Sequence, residues 1–407
     1  MTATPHRIAV IFLAFAFTYF LSALLRAVTA TLAPAFSVEL GLRAGDLGLL
    51  AGAYFLGFAA MQLPLGRALD RFGPRRTLLV LLSVAVLACV SFAVAPQLPA
   101  LIVARVLIGA GVGACLMAPL TLYRRLLSPA AQLRANSWML MTGSLGMVAS
   151  TLPVQWLLPV LGWRGLFWVL AAMLALGMVL IAALVPRDEP KPAGESVADG
   201  GYAQIVRHPL FKAMAPLGFF MYGGMIAVQS LWAGPWLTRV AQQTPQQAAQ
   251  GLFAINLAML LAFLTWGAAL PRLARHGMDA TRLMAWGLPL PLIVLALNVL
   301  LGPAAGATHW ALWCVACTFV SVSQPAVGVA FAPQQAGRAL SAFNLVIFGG
   351  VFCLQWGIGL LVDQLQALGL TEVDAFRAAL AVLGVCSAGA YIWFLRRRPA
   401  PSGNRSP

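Results

Sequence analysis

GRALDRFGPRR, residues 66–76, sets four arginines and one aspartate between two runs almost free of charge. The run before it reaches back to about residue 46, and the run after it extends to about 95. Each has roughly the 20 apolar residues that carry a helix across about 30 Å of hydrocarbon. The cluster therefore reads as a short loop at a membrane surface, joining two crossings. The rest of the chain repeats this alternation. Of 407 residues, 61% are hydrophobic and 9% charged, against about 25% charged in soluble domains. The apolar runs are continuous rather than alternating, which excludes a membrane barrel. An all-α membrane protein follows.

The pattern predicts twelve transmembrane helices, at about 8–33, 46–68, 76–95, 98–123, 136–160, 164–185, 211–238, 248–270, 282–302, 308–332, 340–363 and 375–395. The polar stretch RDEPKPAGESVADGG (187–201) interrupts the series after six. Residues 1–186 and 211–395 are thus expected to form two six-helix bundles, joined by a linker at 187–210 and followed by a basic tail at 396–407. The halves echo each other. GRALDR begins at 66 and GAALPR at 267, an offset of 201, while RANS begins at 134 and RALS at 338, an offset of 204. Parallel repeats of this kind suit a transporter whose site lies between its halves.

The net charge of +15 is a topology signal. With both termini cytoplasmic, twenty Lys and Arg face the cytoplasm and four (Arg43, Arg164, Arg239 and Arg377) face outward, as the positive-inside rule requires. The expected setting is the bilayer of a cell inner membrane, as a monomer, without nucleic acid. The first apolar run, Ile8–Leu25, is too long for a signal-peptide core and is read as a mature helix. The six cysteines all fall in apolar runs. Cys314 and Cys317 form a C-x-x-C that no second pair or histidine completes, so packing is expected and neither metal nor cofactor.

The 66–76 loop resembles the signature between helices two and three of the major facilitator superfamily: Gly66, Asp70, Arg71, Gly73, Arg75 and Arg76 match, while Pro74 replaces a basic residue. RVLIGAGVG (105–113) resembles that superfamily's fourth helix, and GWRGLF (162–167) the turn opening its sixth. The resemblance implies alternating access, with Gly66, Asp70, Arg71, Gly73, Arg75, Arg76 and Arg105 as a latch or coupling set. On physical grounds, Gly66 lets another helix approach, and Asp70 can pair with a basic group or a helix N-terminus.

No acid or histidine lies inside a predicted span. Proton-driven carriers commonly use such a group, so an exporter of lipophilic cations is disfavoured. Two basic residues remain inside. Arg105 is roughly 10 Å from the nearer end of its helix and can snorkel, serve structure and coupling, or contact a ligand directly. Arg26 is deeper, roughly 28 Å along the helix from Arg7 and 20 Å from Glu39. A buried arginine costs at least about 2.5–3.5 kcal/mol unless it meets water, a partner or a ligand. Snorkelling, a structural pair and an anion site all answer that cost. The resemblance favours the last. In organophosphate/phosphate exchangers and anion/cation symporters the first helix carries an Arg with a Pro eight residues on, here Arg26 and Pro34. The exchangers' second Arg, in helix seven, is missing from FFMYGGMIAVQSLWAGPWL (219–237), which turns the expectation from phosphate esters to a monocarboxylate.

Tyr19 lies two turns before Arg26 on the same face. Tyr54, Tyr222, Gln229, Trp232, Asn256, Gln324 and Gln355 are further polar or aromatic residues within spans and are expected to line the site, although interhelical hydrogen bonding explains each singly. The function expected is secondary transport of a small organic anion, with Arg26 as its contact. A proton carried on the substrate, a counter-anion, or uniport are the couplings left open. The alternatives are an exporter of neutral or amphipathic compounds and a transporter-like sensor. An enzyme is not expected, because no nucleophile–base set appears.

Overall fold

The computed structural model describes residues 5–187, 202–276 and 278–398, all of it helix and connecting turn. Before the linker come α1 (Pro5–Leu40), α2 (Ala44–Phe72), α3 (Pro74–Val94), α4 (Leu98–Gly111), α5 (Met117–Leu126), α6 (Pro129–Ala149) and α7 (Leu152–Leu184). After it come α8 (Tyr202–Arg207), α9 (Pro209–Val240), α10 (Pro245–Arg275), α11 (Ala280–Ala304), α12 (Ala307–Val329), α13 (Pro333–Ala367) and α14 (Glu372–Arg397). Ten of these are long and apolar enough to cross a bilayer; α4, α5, α6 and α8 are not among them.

The expected fourth span, 98–123, is broken at residues 112–116. Gly111 precedes the break and Gly113 lies within it, and each weakens a helix there by roughly 1 kcal/mol. The glycines before it serve packing. A Cβ on Gly57 would sit 1.9 Å from the Val106 carbonyl oxygen, and one on Gly109 1.9 Å from that of Tyr54. The α2 and α4 backbones therefore touch. The expected fifth span, 136–160, starts earlier, at Pro129, and is interrupted at Ser150 and Thr151. Thr31 donates to the Ser150 carbonyl at 2.8 Å, partnering an oxygen at the helix break. Gly162, at φ +62°, breaks α7 where the turn into the sixth span was expected. In α9, residues 217–222, 228–232 and 236–240 form wide turns with i→i+5 bonding, a geometry frequent at functional sites.

The expected linker lies largely outside the described residues, at 188–201, but its end is the short helix α8. Arg396 and Arg397 belong to α14 rather than to the tail, and Arg397 stacks on Trp393 at 4.6 Å. The remaining tail, 399–407, is outside the described residues.

At the side marked by the α1–α2 turn at Gly41, the two halves meet. Ala44 and Gly45 donate their backbone N–H groups to Asp363 at 3.1 and 2.8 Å, so a carboxylate of α13 sits on the N-terminus of α2, where the helix dipole favours an anion. Below it, a Cβ on Gly48 would lie 2.2 Å from the Gln355 carbonyl oxygen, and one on Gly359 2.3 Å from that of Ala44. Arg239 of α9 bonds Ser37 of α1 at 2.8 Å and Glu372 of α14 at 3.3 Å. Three of the four arginines expected on one face lie here with acids: Arg164 with Glu39, Arg239 with Glu372, and Arg377 with Asp374.

Around the 66–76 loop, Arg71, Arg75 and Arg76 make contacts with residues before the linker. Gly66 faces open space, so the close helix approach expected of it is absent. Asp70 is exposed. Arg71 and Arg76 stack on Phe72 at 5.2 and 5.8 Å, and Arg75 donates to the Ala182 carbonyl at 2.5 Å, inside its own half. The molecule is thus clasped on the Gly41 side. Asp363→Ala is expected to loosen that clasp by about 1–2 kcal/mol, the scale of a lost charge-assisted bond. A cysteine placed at Thr238 should then react roughly tenfold faster with a polar maleimide; an unchanged rate would show that Asp363 does not hold this side shut.

Candidate functional site

The geometry around Arg26 starts from α1, which runs unbroken through Pro34. Tyr19 and Arg26, two turns apart, face the same interior. The guanidinium faces the hydroxyls of Tyr19 and Tyr54, with Tyr222 within electrostatic range. Its carbon lies 5.6 Å from the centre of the Phe58 ring. Tyr54 and Phe58 are one turn apart on α2, and Tyr54 is held by donating to the Ser22 carbonyl at 3.1 Å. Arg26 Nε is buried and has no hydrogen-bond partner among the described residues. Among the described residues no carboxylate is paired with it; phenols face it and the Cys115 thiol is within electrostatic range. The side chain is thus carried inward with its Nε unfilled.

Arg105 also has a buried Nε without a partner among the described residues, but its other two nitrogens are tied down. It is 1% exposed, donates to the Leu25 carbonyl at 3.1 Å, and bonds the Thr29 hydroxyl. It also lies 5.4 Å from the Tyr54 ring. It does not snorkel. It ties α4 to the α1 segment that holds Arg26 and supports Tyr54 from behind. Removing it would leave Leu25 O and Thr29 without their buried donor, a loss of about 2–4 kcal/mol. Arg105→Leu is accordingly expected to lower the melting temperature by several degrees in detergent; equal melting temperatures would reduce these bonds to a minor role.

On α9 the wide turns change the alignment expected from a regular helix. Tyr222 and Gln229 do not share one set of partners. Tyr222 donates to Gln324 at 3.4 Å, whereas Gln229 donates to Asn256 at 3.0 Å. Gln355 is fully buried in the seam between α13 and α9, donating to Ser230 at 3.0 Å. Trp232 packs on Phe376 with ring centres 5.9 Å apart. The buried Gln355 Oε1 and Trp232 Nε1 have no partners among the described residues. Of the nine residues read from the sequence, the structure gathers Arg26, Tyr19, Tyr54 and Tyr222, and links Gln324 to them. Gln229 with Asn256 forms a separate pair, and Gln355 and Trp232 serve the α9 seam.

Three contributors were not singled out in the sequence. Phe58 supplies the ring beside Arg26. Gln62 and Asn344 continue the polar chain from Gln324, with Gln324 donating to Asn344 at 2.5 Å and Asn344 to Gln62 at 3.5 Å. Both are buried amides within apolar helices, the same signal that marked Asn256 and Gln355. Their significance lies in a contact between α2 and α13, which the sequence order does not display.

Comparison with known proteins follows this geometry. The family model described as Major Facilitator Superfamily matches residues 15–346. A curated relative from Cupriavidus necator, described as "Probable sulfoacetate transporter SauU", is 27% identical over 235 residues, 54% of each chain; the chain matches only about half the length of that relative. Among solved structures, a bacterial homologue of the human lysosomal transporter Spinster, inward-facing and unoccupied, superposes with TM-score 0.74 at 17% identity, covering 98% of this chain and all of that one. A D-xylose–proton symporter gives TM-score 0.78 at 15% identity, over 98% and 99% of the two chains. The xylose transporter XylE from E. coli, partially occluded and inward open, gives 0.72 at 14%, over 98% and 100%. At these identities the likeness is one of fold.

Proposed function

The chain belongs to the Major Facilitator Superfamily, and we propose that it carries a small organic anion, a monocarboxylate or similar acid, with Arg26 as the anion contact. It is a secondary transporter working by alternating access, and not an enzyme. Twelve helices in two six-helix bundles, residues 1–186 and 211–395, complete the proposed architecture. Placing both termini in the cytoplasm makes the Gly41 side the outer one, so the clasped conformation is closed outward. The anion-carrying branches with an Arg–Pro pair in the first helix are its proposed kin.

One observation carries the substrate reading: an interior guanidinium with an unfilled Nε, two tyrosines facing it, a third within electrostatic range, and no paired carboxylate among the described residues. A carboxylate would complete it with a bidentate pair, and the phenols would donate to the remaining lone pairs. The partial similarity to a protein described as a sulfoacetate transporter supports an acidic substrate. With no interior acid to relay a proton, coupling would run through the substrate's own carboxylate or through exchange. Uptake by proteoliposomes of labelled short carboxylates and sulfonates, each beside its neutral amide, tests the proposal. Accumulation of the acids alone is expected. Accumulation of the amides alone would favour the exporter of neutral compounds, and binding without flux would favour a sensor.

A further inference from the structure

We infer that the substrate is a short acid bearing an uncharged hydrogen-bonding group, read by an amide cluster that begins one turn of α2 beyond Phe58, the ring beside Arg26. This rests on the anion reading above. Tyr54, Phe58 and Gln62 follow at i, i+4 and i+8, one stripe of α2. Tyr54 and Phe58 face Arg26. Gln62, at the other end, donates to the Phe58 carbonyl at 3.3 Å and accepts from Asn344 at 3.5 Å. The Phe58 ring, braced edge-on by Phe348 with centres 4.6 Å apart, thus separates a cationic end from an amide end.

The amide end is under-used. Gln324, Asn344 and Gln62 each have two N–H donors and a carbonyl with two lone pairs. Among the described residues each amide nitrogen and oxygen makes a single bond, in the series Tyr222–Gln324, Gln324–Asn344, Asn344–Gln62 and Gln62–Phe58, so a second N–H and a second lone pair remain on each. Gln62 and Asn344 are 3% and 6% exposed, so water does not readily fill that capacity. The bonds at the ends of the relay, at 3.4 and 3.5 Å, are near the limit of a hydrogen bond and exchange easily for a ligand's. Neutral amides that both donate and accept suit a hydroxyl or a carbonyl. They do not compensate a second charge, which would be costly in this interior. The relay also crosses the seam between α2 and α13, so a ligand engaging it touches both halves at once.

One turn of α2 separates Phe58, beside Arg26, from Gln62 and rises about 6 Å, so a chain on the order of four carbons is the probe to try. Calorimetric binding to the purified protein should therefore compare 4-hydroxybutanoate with pentanoate, in which a methyl replaces the hydroxyl, and with butanedioate. Expected is binding of the hydroxy acid at least about tenfold tighter than either. Gln62→Leu and Asn344→Leu should bring the hydroxy acid to within about threefold of pentanoate. Arg26→Ala should lose all three. Equal or tighter binding of pentanoate or butanedioate to the unmodified protein overturns this inference and leaves the anion reading standing. Binding of none of the three acids overturns both.

Discussion

Arg26→Ala is expected to abolish uptake of the acid substrate while leaving the protein as stable as before, or more so. Two charge-assisted hydrogen bonds between a guanidinium and a carboxylate are worth about 3–6 kcal/mol. kcat/KM should therefore fall by at least about 100-fold. Arg26→Lys keeps the charge but loses the fork that matches a carboxylate, and an intermediate loss of about tenfold is expected. The stability result separates function from architecture. Arg26 is half-buried, with a buried, unfilled Nε and no acid paired with it among the described residues, so its removal relieves an uncompensated charge. Arg105, with its bonds to Leu25 and Thr29, should behave oppositely. A large fall in melting temperature with uptake retained would make Arg26 a structural residue.

A second large effect is expected from placing valine at two glycines of the same helix. Gly57→Val drives a side chain into the Val106 carbonyl, within the first half. That contact is part of the fold itself, so loss of folded protein is expected; overpacking alone costs about 1–3 kcal/mol, occasionally more. Gly48→Val drives a side chain into the Gln355 carbonyl of the other half. Alternating access lets the halves separate there, so the variant should fold, stay parted on the Gly41 side and fail to transport. Melting temperature and the reactivity of a cysteine at Thr238 distinguish the two. If Gly48→Val transports normally, the α2–α13 closure is not part of the cycle.

The helical membrane fold was legible in the chain because hydropathy acts locally: an apolar run with its ends marked by arginines needs no partner to be recognised. Breaks were harder. The interruption after Gly111 and the wide turns of α9 arise where helices press on each other's backbones, and glycine spacing hints at the pressure without locating it. The same holds for the site. Arg26 stood out because charge in an apolar run is costly wherever it points, and Tyr19 followed from helical phase. Tyr54 and Tyr222 were named for polarity alone; only the packing brings them to one guanidinium. Gln62 and Asn344, 282 residues apart, acquire a role only when α2 meets α13. Gly66, read as a helix contact, has nothing within 4 Å of a Cβ built on it; its place at a helix end did not reveal which side was open.

A carrier whose moving site holds an anion through Arg26 exchanges one acid for another across the bilayer, and counterflow reads that exchange. Proteoliposomes loaded with an unlabelled short acid are diluted into a trace of the labelled acid. A transient accumulation of label above equilibrium is predicted for the unmodified protein, none for Arg26→Ala, and none when the internal load is the neutral amide. An equal overshoot with Arg26→Ala, or one driven by the amide, would contradict the account.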